Sequence, residues 1–77
     1  MTDTRLKIGV VGAGWAGCQA MHAVQALPRT ELVAISDVMP QLLEAAGQNY
    51  GCSRHYADYR ELLADNDVDA VYLAVNP

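Results

Sequence analysis

Seventy-seven residues, 52% of them hydrophobic, bound one small globular unit with a core of marginal size. A net charge of −4, with the five basic residues (Arg5, Lys7, Arg29, Arg54, Arg60) scattered along the chain, argues against a nucleic-acid surface. Two cysteines, Cys18 and Cys52, make no disulfide framework and fit a reducing cytoplasm. The first apolar run, Ile8 to Val11, is too short and too glycine-broken for a signal peptide or membrane span.

Leu6, Ile8, Val10 and Val11 form a short run that becomes wholly apolar towards Gly12, as a strand buried on both faces reads. After Gly14 the period changes. Gly17, Ala20, Met21, Val24 and Leu27 recur at helical intervals, and Pro28 stops the helix. Residues 32–37, LVAISD, read as a second buried strand ending in an acid. Pro40 suits the first turn of another helix, because its missing N–H would be unpaired there anyway. That helix carries Leu42, Leu43, Ala46 and Tyr50, and Gly51 suits its exit.

Arg54 to Tyr56 predicts a very short third strand. Asp58 followed three residues later by Glu61 predicts a capping box at the start of a short helix through Leu62 and Leu63. Asp65, Asn66 and Asp67 read as a solvated turn, and Val68 to Val75 as a fourth strand. Regular alternation of strand and helix calls for an α/β fold, a parallel sheet in three layers with crossover helices on its faces. Residues 1–77 then read as one unit of this architecture.

The motif that carries chemistry is GVVGAGWAG, residues 9–17. Its G-x-G-x-x-G core (Gly12, Gly14, Gly17) is weak evidence unless a strand precedes it, a helix follows and an acid stands about twenty residues on. All three hold here, the acid being Asp37. Gly12 permits the tight turn, Gly14 lets backbone approach a pyrophosphate, and Gly17 lets helix pack on strand. The N–H groups of the first helical turn, around Trp15 and Ala16, point at the phosphates. Asp37 is placed to accept from both adenosine ribose hydroxyls, which favours NAD over NADP. For Trp15 the backbone rather than the ring is the expected functional part. The competing reading is a plain strand-to-helix turn that binds nothing.

GVVGAGWAG, then ELVAISDV, then HYADYRELLADNDVDAVYLAVNP resembles the amino-terminal domain of the glucose–fructose oxidoreductase and inositol dehydrogenase (Gfo/Idh/MocA) family over the whole chain. The resemblance implies cofactor contacts at Gly12, Gly14, Trp15, Ala16 and Asp37, with Ala74, Asn76 and Pro77 approaching the dinucleotide. It also implies an NAD-dependent oxidoreductase acting on a sugar, cyclitol or related polyol, a homo-oligomer when full length. The family's Glu-Lys-Pro motif, its catalytic aspartate and histidine, and its substrate domain would lie beyond residue 77. No catalytic residue is therefore expected within this chain. Lys7 stands at the wrong end of the sheet, since a parallel sheet takes its ligand at the carboxyl ends of its strands.

Two readings from other classes compete: a nucleotide-binding or interaction module without catalysis, and a different Rossmann dehydrogenase such as one acting on an amino acid. Cys18 with His22, and Cys52 with His55, invite a zinc reading, but the parallel sheet gives the two pairs no reason to converge. Cys18 is expected to be buried, with His22 and His55 solvated. The tyrosines at 50, 56, 59 and 72 read as packing rather than as a stacking platform. Asp65, Asp67 and Asp69 lack the glycine and distal glutamate of a calcium loop.

Overall fold

A computed structural model describes residues 5–74. Strands β1 (Leu6–Val11), β2 (Thr30–Ser36), β3 (His55–Tyr56) and β4 (Ala70–Leu73) alternate with helices α1 (Trp15–Ala26), α2 (Pro40–Tyr50) and α3 (Tyr59–Leu63). Every strand pairing is parallel, in the order β3-β2-β1-β4. The chain therefore steps outward from β1 to β3 and returns to the far side of β1 for β4. That reversal opens a crevice at the carboxyl end of β1, where open α/β sheets take their ligands.

Two apolar clusters divide the sheet's faces. Ile8, Val10 and Ile35 pack with Ala20 and Met21 of α1 and Leu43 and Ala46 of α2; Val11 and Ala34 pack on the other face with Leu62 of α3. Met21, Val10, Ile35 and Leu62 are fully buried, each contributing about 1.5–3 kcal/mol relative to exposure. A bulge sets the phase of β2: Ile8 pairs with Leu32 and Gly9 with Ala34, so Val33 has no opposite residue in β1. An extra residue in one strand shifts which side chains share a face, and Leu32 and Ile35 thereby reach the same cluster three residues apart. Gly9 is needed on the opposite face, where a Cβ would come within 2.7 Å of the Leu62 side chain.

The structure corrects several expectations. The fourth strand, Ala70–Leu73, begins two residues later than expected, because Val68 turns back onto Asp65 (N···O 3.1 Å) and Asp69 donates to the Lys7 carbonyl before the ladder begins; Val75 lies outside the described residues. Leu27 caps α1 and is exposed, since the helix ends at Ala26. Cys52 is buried, whereas Cys18 is only partly so.

His55 is not simply solvated: its Nε2 lies 2.6 Å from the Cys52 carbonyl, and the ring fills the notch left by Gly47. At α3, Asp58 accepts from the Arg60 N–H at 2.9 Å and pairs with the Arg60 guanidinium. The reciprocal Glu61 bond of a capping box is not made.

The aspartate turn is only partly solvated. Asp65, with a side chain only 10% exposed, pairs with Arg54 at 3.1 Å and accepts from the Tyr56 hydroxyl at 2.8 Å. Asp67 pairs with both Arg54 and Lys7, while Asp69 accepts from the Lys7 backbone N–H. This network ties the α3–β4 turn to the entries of β1 and β3. Its partners depress both carboxyls: for Asp65 chiefly the Asp67 N–H and Tyr56 hydroxyl, for Asp67 chiefly Lys7 and then Arg54.

Candidate nucleotide site

The glycine loop leaves β1 at the crevice, and each glycine has a separate cause. Gly12 sits at φ 105°, a conformation side chains resist, and a Cβ there would strike the Ala74 backbone carbonyl. A Cβ on Gly17 would strike the Gly12 carbonyl, so the first turn of α1 rests directly on the loop. Gly14 is different. It has an ordinary φ of −78°, and a Cβ there would meet nothing within 4 Å. Nothing among the described residues requires a glycine at 14; a ligand drawn close to the backbone would.

Gly14 is also the N-cap of α1. No side chain caps this helix end, and its first turn carries no acid. The first helical bond runs from the Cys18 N–H to the Gly14 carbonyl at 2.9 Å. The amides of Trp15, Ala16 and Gly17 consequently lack the i−4 partner that later residues have. Their positive end of the helix dipole is left for an anion. The Trp15 ring stands 81% exposed beside them.

Asp37 joins this loop to the end of β2. Its Oδ2 accepts from the Ala13 N–H at 2.7 Å and its Oδ1 from the Met39 N–H at 2.8 Å. The carboxylate therefore positions the glycine loop, a role the spacing argument missed. Each oxygen retains acceptor capacity for a hydroxyl, because a carboxylate offers about four lone-pair sites. Ala74 completes the rim, its N–H bonded to the Val11 carbonyl at 2.8 Å. The structure thus brings together Gly12, Gly14, Trp15, Ala16, Gly17, Asp37 and Ala74; Asn76 and Pro77 lie outside the described residues.

A groove of about 150 Å³ continues from Asp37, lined by Val11, Gly12, Ser36, Val38, Ala57 and Tyr59. Val38, Ala57 and Tyr59 were not recognised from the sequence, where Tyr59 read as packing. The available signal was position: Tyr59 follows the third strand and the Asp58 cap, which puts it at the sheet's carboxyl end. A larger open groove of about 590 Å³ lies between α2 and the segment 52–55, away from the glycine motif. Among the described residues no cluster of three or more His, Cys, Asp or Glu could hold a metal ion, and no helix is long and apolar enough to cross a membrane.

Residues 6–77 match the model of an oxidoreductase family with an NAD-binding Rossmann fold, GFO_IDH_MocA. The chain belongs to the Gfo/Idh/MocA oxidoreductase family. It is 34% identical to a D-apiose dehydrogenase of Rhizobium rhizogenes over 96% of its own length and 21% of that protein's. It superposes with a TM-score of 0.89 on an oxidoreductase from Agrobacterium radiobacter in complex with NAD+, L-tartaric acid and magnesium (33% identity, 95% of this chain, 21% of that one). A myo-inositol dehydrogenase from Lactobacillus casei, in complex with NAD(H) and myo-inositol, gives 0.85 at 32% identity, covering 91% of this chain and 21% of that one. The chain thus spans about one-fifth of the length of the relatives it matches.

Proposed function

We propose that this family member binds NAD at the crevice and serves a dehydrogenase acting on a sugar, cyclitol or related polyol. The observation that carries the reading is Gly14: a glycine that nothing among the described residues requires, at an uncapped helix start, with a carboxylate 20 residues beyond the motif's end. Gly14, Trp15, Ala16 and Gly17 would hold the pyrophosphate through backbone amides. Asp37 would hold the loop and accept from the adenosine ribose, and Ala74, Asn76 and Pro77 would border the nicotinamide side. When bound, the dinucleotide supplies the hydride chemistry; the residues of this chain bind and orient it. Substrate contacts and proton transfer are assigned to residues outside the chain, in a setting we read as cytoplasmic and homo-oligomeric.

Asp37 favours NAD over NADP, because a 2′-phosphate would bring like charge against its carboxylate. The test of the activity is a panel of sugars, cyclitols and polyols assayed with NAD on the protein as its gene encodes it. NAD reduction with at least one of them supports the reading. A non-catalytic module would bind NAD and turn over none.

A further inference from the structure

Resting on the homo-oligomeric reading above, we propose that two copies of this chain pack their α1 helices antiparallel, about a two-fold axis crossing the middle of the helix. The outer face of α1 is the starting point. Residues 15–26, WAGCQAMHAVQA, contain no Asp, Glu, Lys or Arg. The other two helices present charge to solvent, Glu44 on α2 and Arg60 with Glu61 on α3. A helix with one side in water normally carries charged groups on that side. Helix α1 instead exposes Trp15 at 81%, with Leu27 at 55% just past its end.

The exposed side chains complement themselves in this arrangement. Trp15, Gln19, His22 and Ala26 are all exposed and follow one another at steps of four, three and four residues, the spacing of a two-helix seam. About an axis between Ala20 and Met21, Trp15 comes opposite the partner's Ala26 and Gln19 opposite the partner's His22, and the two-fold repeats both contacts. Large meets small at the ends. In the centre, an amide that donates and accepts meets an imidazole that does the same. Charge favours this face as well: each copy carries −4, so two copies approach best where neither presents a charge. The amides at the start of α1 point along its axis rather than sideways, so the pairing leaves the phosphate end open. The two indoles cover on the order of 300 Å², against about 1,200 Å² for the smaller specific interfaces. Helix α1 is thus the anchor of a larger contact, Trp being among the residues that dominate such interfaces.

The experiment is analytical ultracentrifugation, over a range of concentrations, of the protein as its gene encodes it. Wild type is compared with Ala26→Glu and with two double variants, Gln19→Glu/His22→Glu and Gln19→Lys/His22→Glu. The first double variant sets like charges opposite each other twice and should weaken association by about tenfold or more. The second sets opposite charges at the same two points and should associate within about threefold of wild type. Ala26→Glu puts a carboxylate under the partner's Trp15 and should weaken association as the first double variant does. A wild-type protein that stays monomeric up to about 100 μM removes the homo-oligomeric reading itself. An oligomer that neither Ala26→Glu nor the like-charge variant weakens overturns the α1 contact and leaves that reading standing. Equal loss in both double variants, with circular dichroism unchanged, overturns the antiparallel pairing. Should a double variant fail to fold, Ala26→Glu carries the test, since that exposed position at the helix end holds no core together.

Discussion

Gly14 and Gly17 stand three residues apart in one motif, yet the structure gives them opposite consequences on substitution by alanine. At Gly17 the added methyl collides with a backbone carbonyl, that of Gly12, which has no rotamer by which to escape. Overpacking costs about 1–3 kcal/mol where side chains give way, so a backbone obstacle puts Gly17→Ala at about 3 kcal/mol. At Gly14 the methyl enters open space at a permitted φ, and the cost is the preference for glycine over alanine at an N-cap, under about 1 kcal/mol. Nucleotide affinity should sort the variants differently. Gly14→Ala is expected to lose at least about tenfold in NAD affinity, or 1.4 kcal/mol, while keeping its stability. Denaturant unfolding and NAD titration on both variants check this. A Gly14→Ala protein with unchanged NAD affinity would refute the argument that the empty space belongs to a phosphate.

Other outcomes follow from the packing and the charges. Asp65 and Asp67 have folded pKa values depressed below the ordinary 3.8, so their stabilisation is present above that value and lost as pH falls through the depressed ones. Acid unfolding should therefore shift to higher pH in Asp65→Asn, and an unchanged acid midpoint would contradict the network's role. Gly47→Ala drives a methyl into the His55 ring and to 2.9 Å from the Cys52 carbonyl; a loss of about 1–3 kcal/mol in denaturant unfolding is expected. The 77-residue chain by itself should reduce no NAD with any polyol: among the described residues, Lys7 enters β1 at the end away from the crevice, and the His55 ring is turned into the notch at Gly47 against the Cys52 carbonyl. Turnover that survives repurification would contradict that assignment.

The fold was largely legible because its signals are local. An apolar run ending at Gly12, helical spacing from Gly17 to Val24, and Pro40 with Gly51 bracketing α2 each follow from backbone physics. The glycine–acid spacing likewise placed the loop and Asp37 at one end of the sheet. What escaped depends on contacts distant in sequence. Asp37 holding Ala13 spans 24 residues and Tyr56 reaching Asp65 spans nine, and neither pairing leaves a mark on a single chain. Asp65 and Asp67 looked like solvent-facing turn residues because Arg54 and Lys7, which neutralise them, lie on other elements. The start of β4 was misplaced for a related reason: Val68 has strand character, but the hydrogen bonds of Val68 and Asp69 go to a turn and to Lys7.

The central claim, that Asp37 reads the adenosine ribose of NAD, is tested most directly by titrating NAD+ and NADP+ into wild type and Asp37→Ser. A unit charge about 4 Å from the carboxylate at an effective dielectric near 20 costs on the order of 4 kcal/mol. One third of that, after solvent and counterions, is still about a tenfold preference. The account predicts that wild type binds NAD+ at least about tenfold more tightly than NADP+, and that Asp37→Ser weakens NAD+ and closes the gap. Tighter binding of NADP+ by the wild-type protein would contradict it.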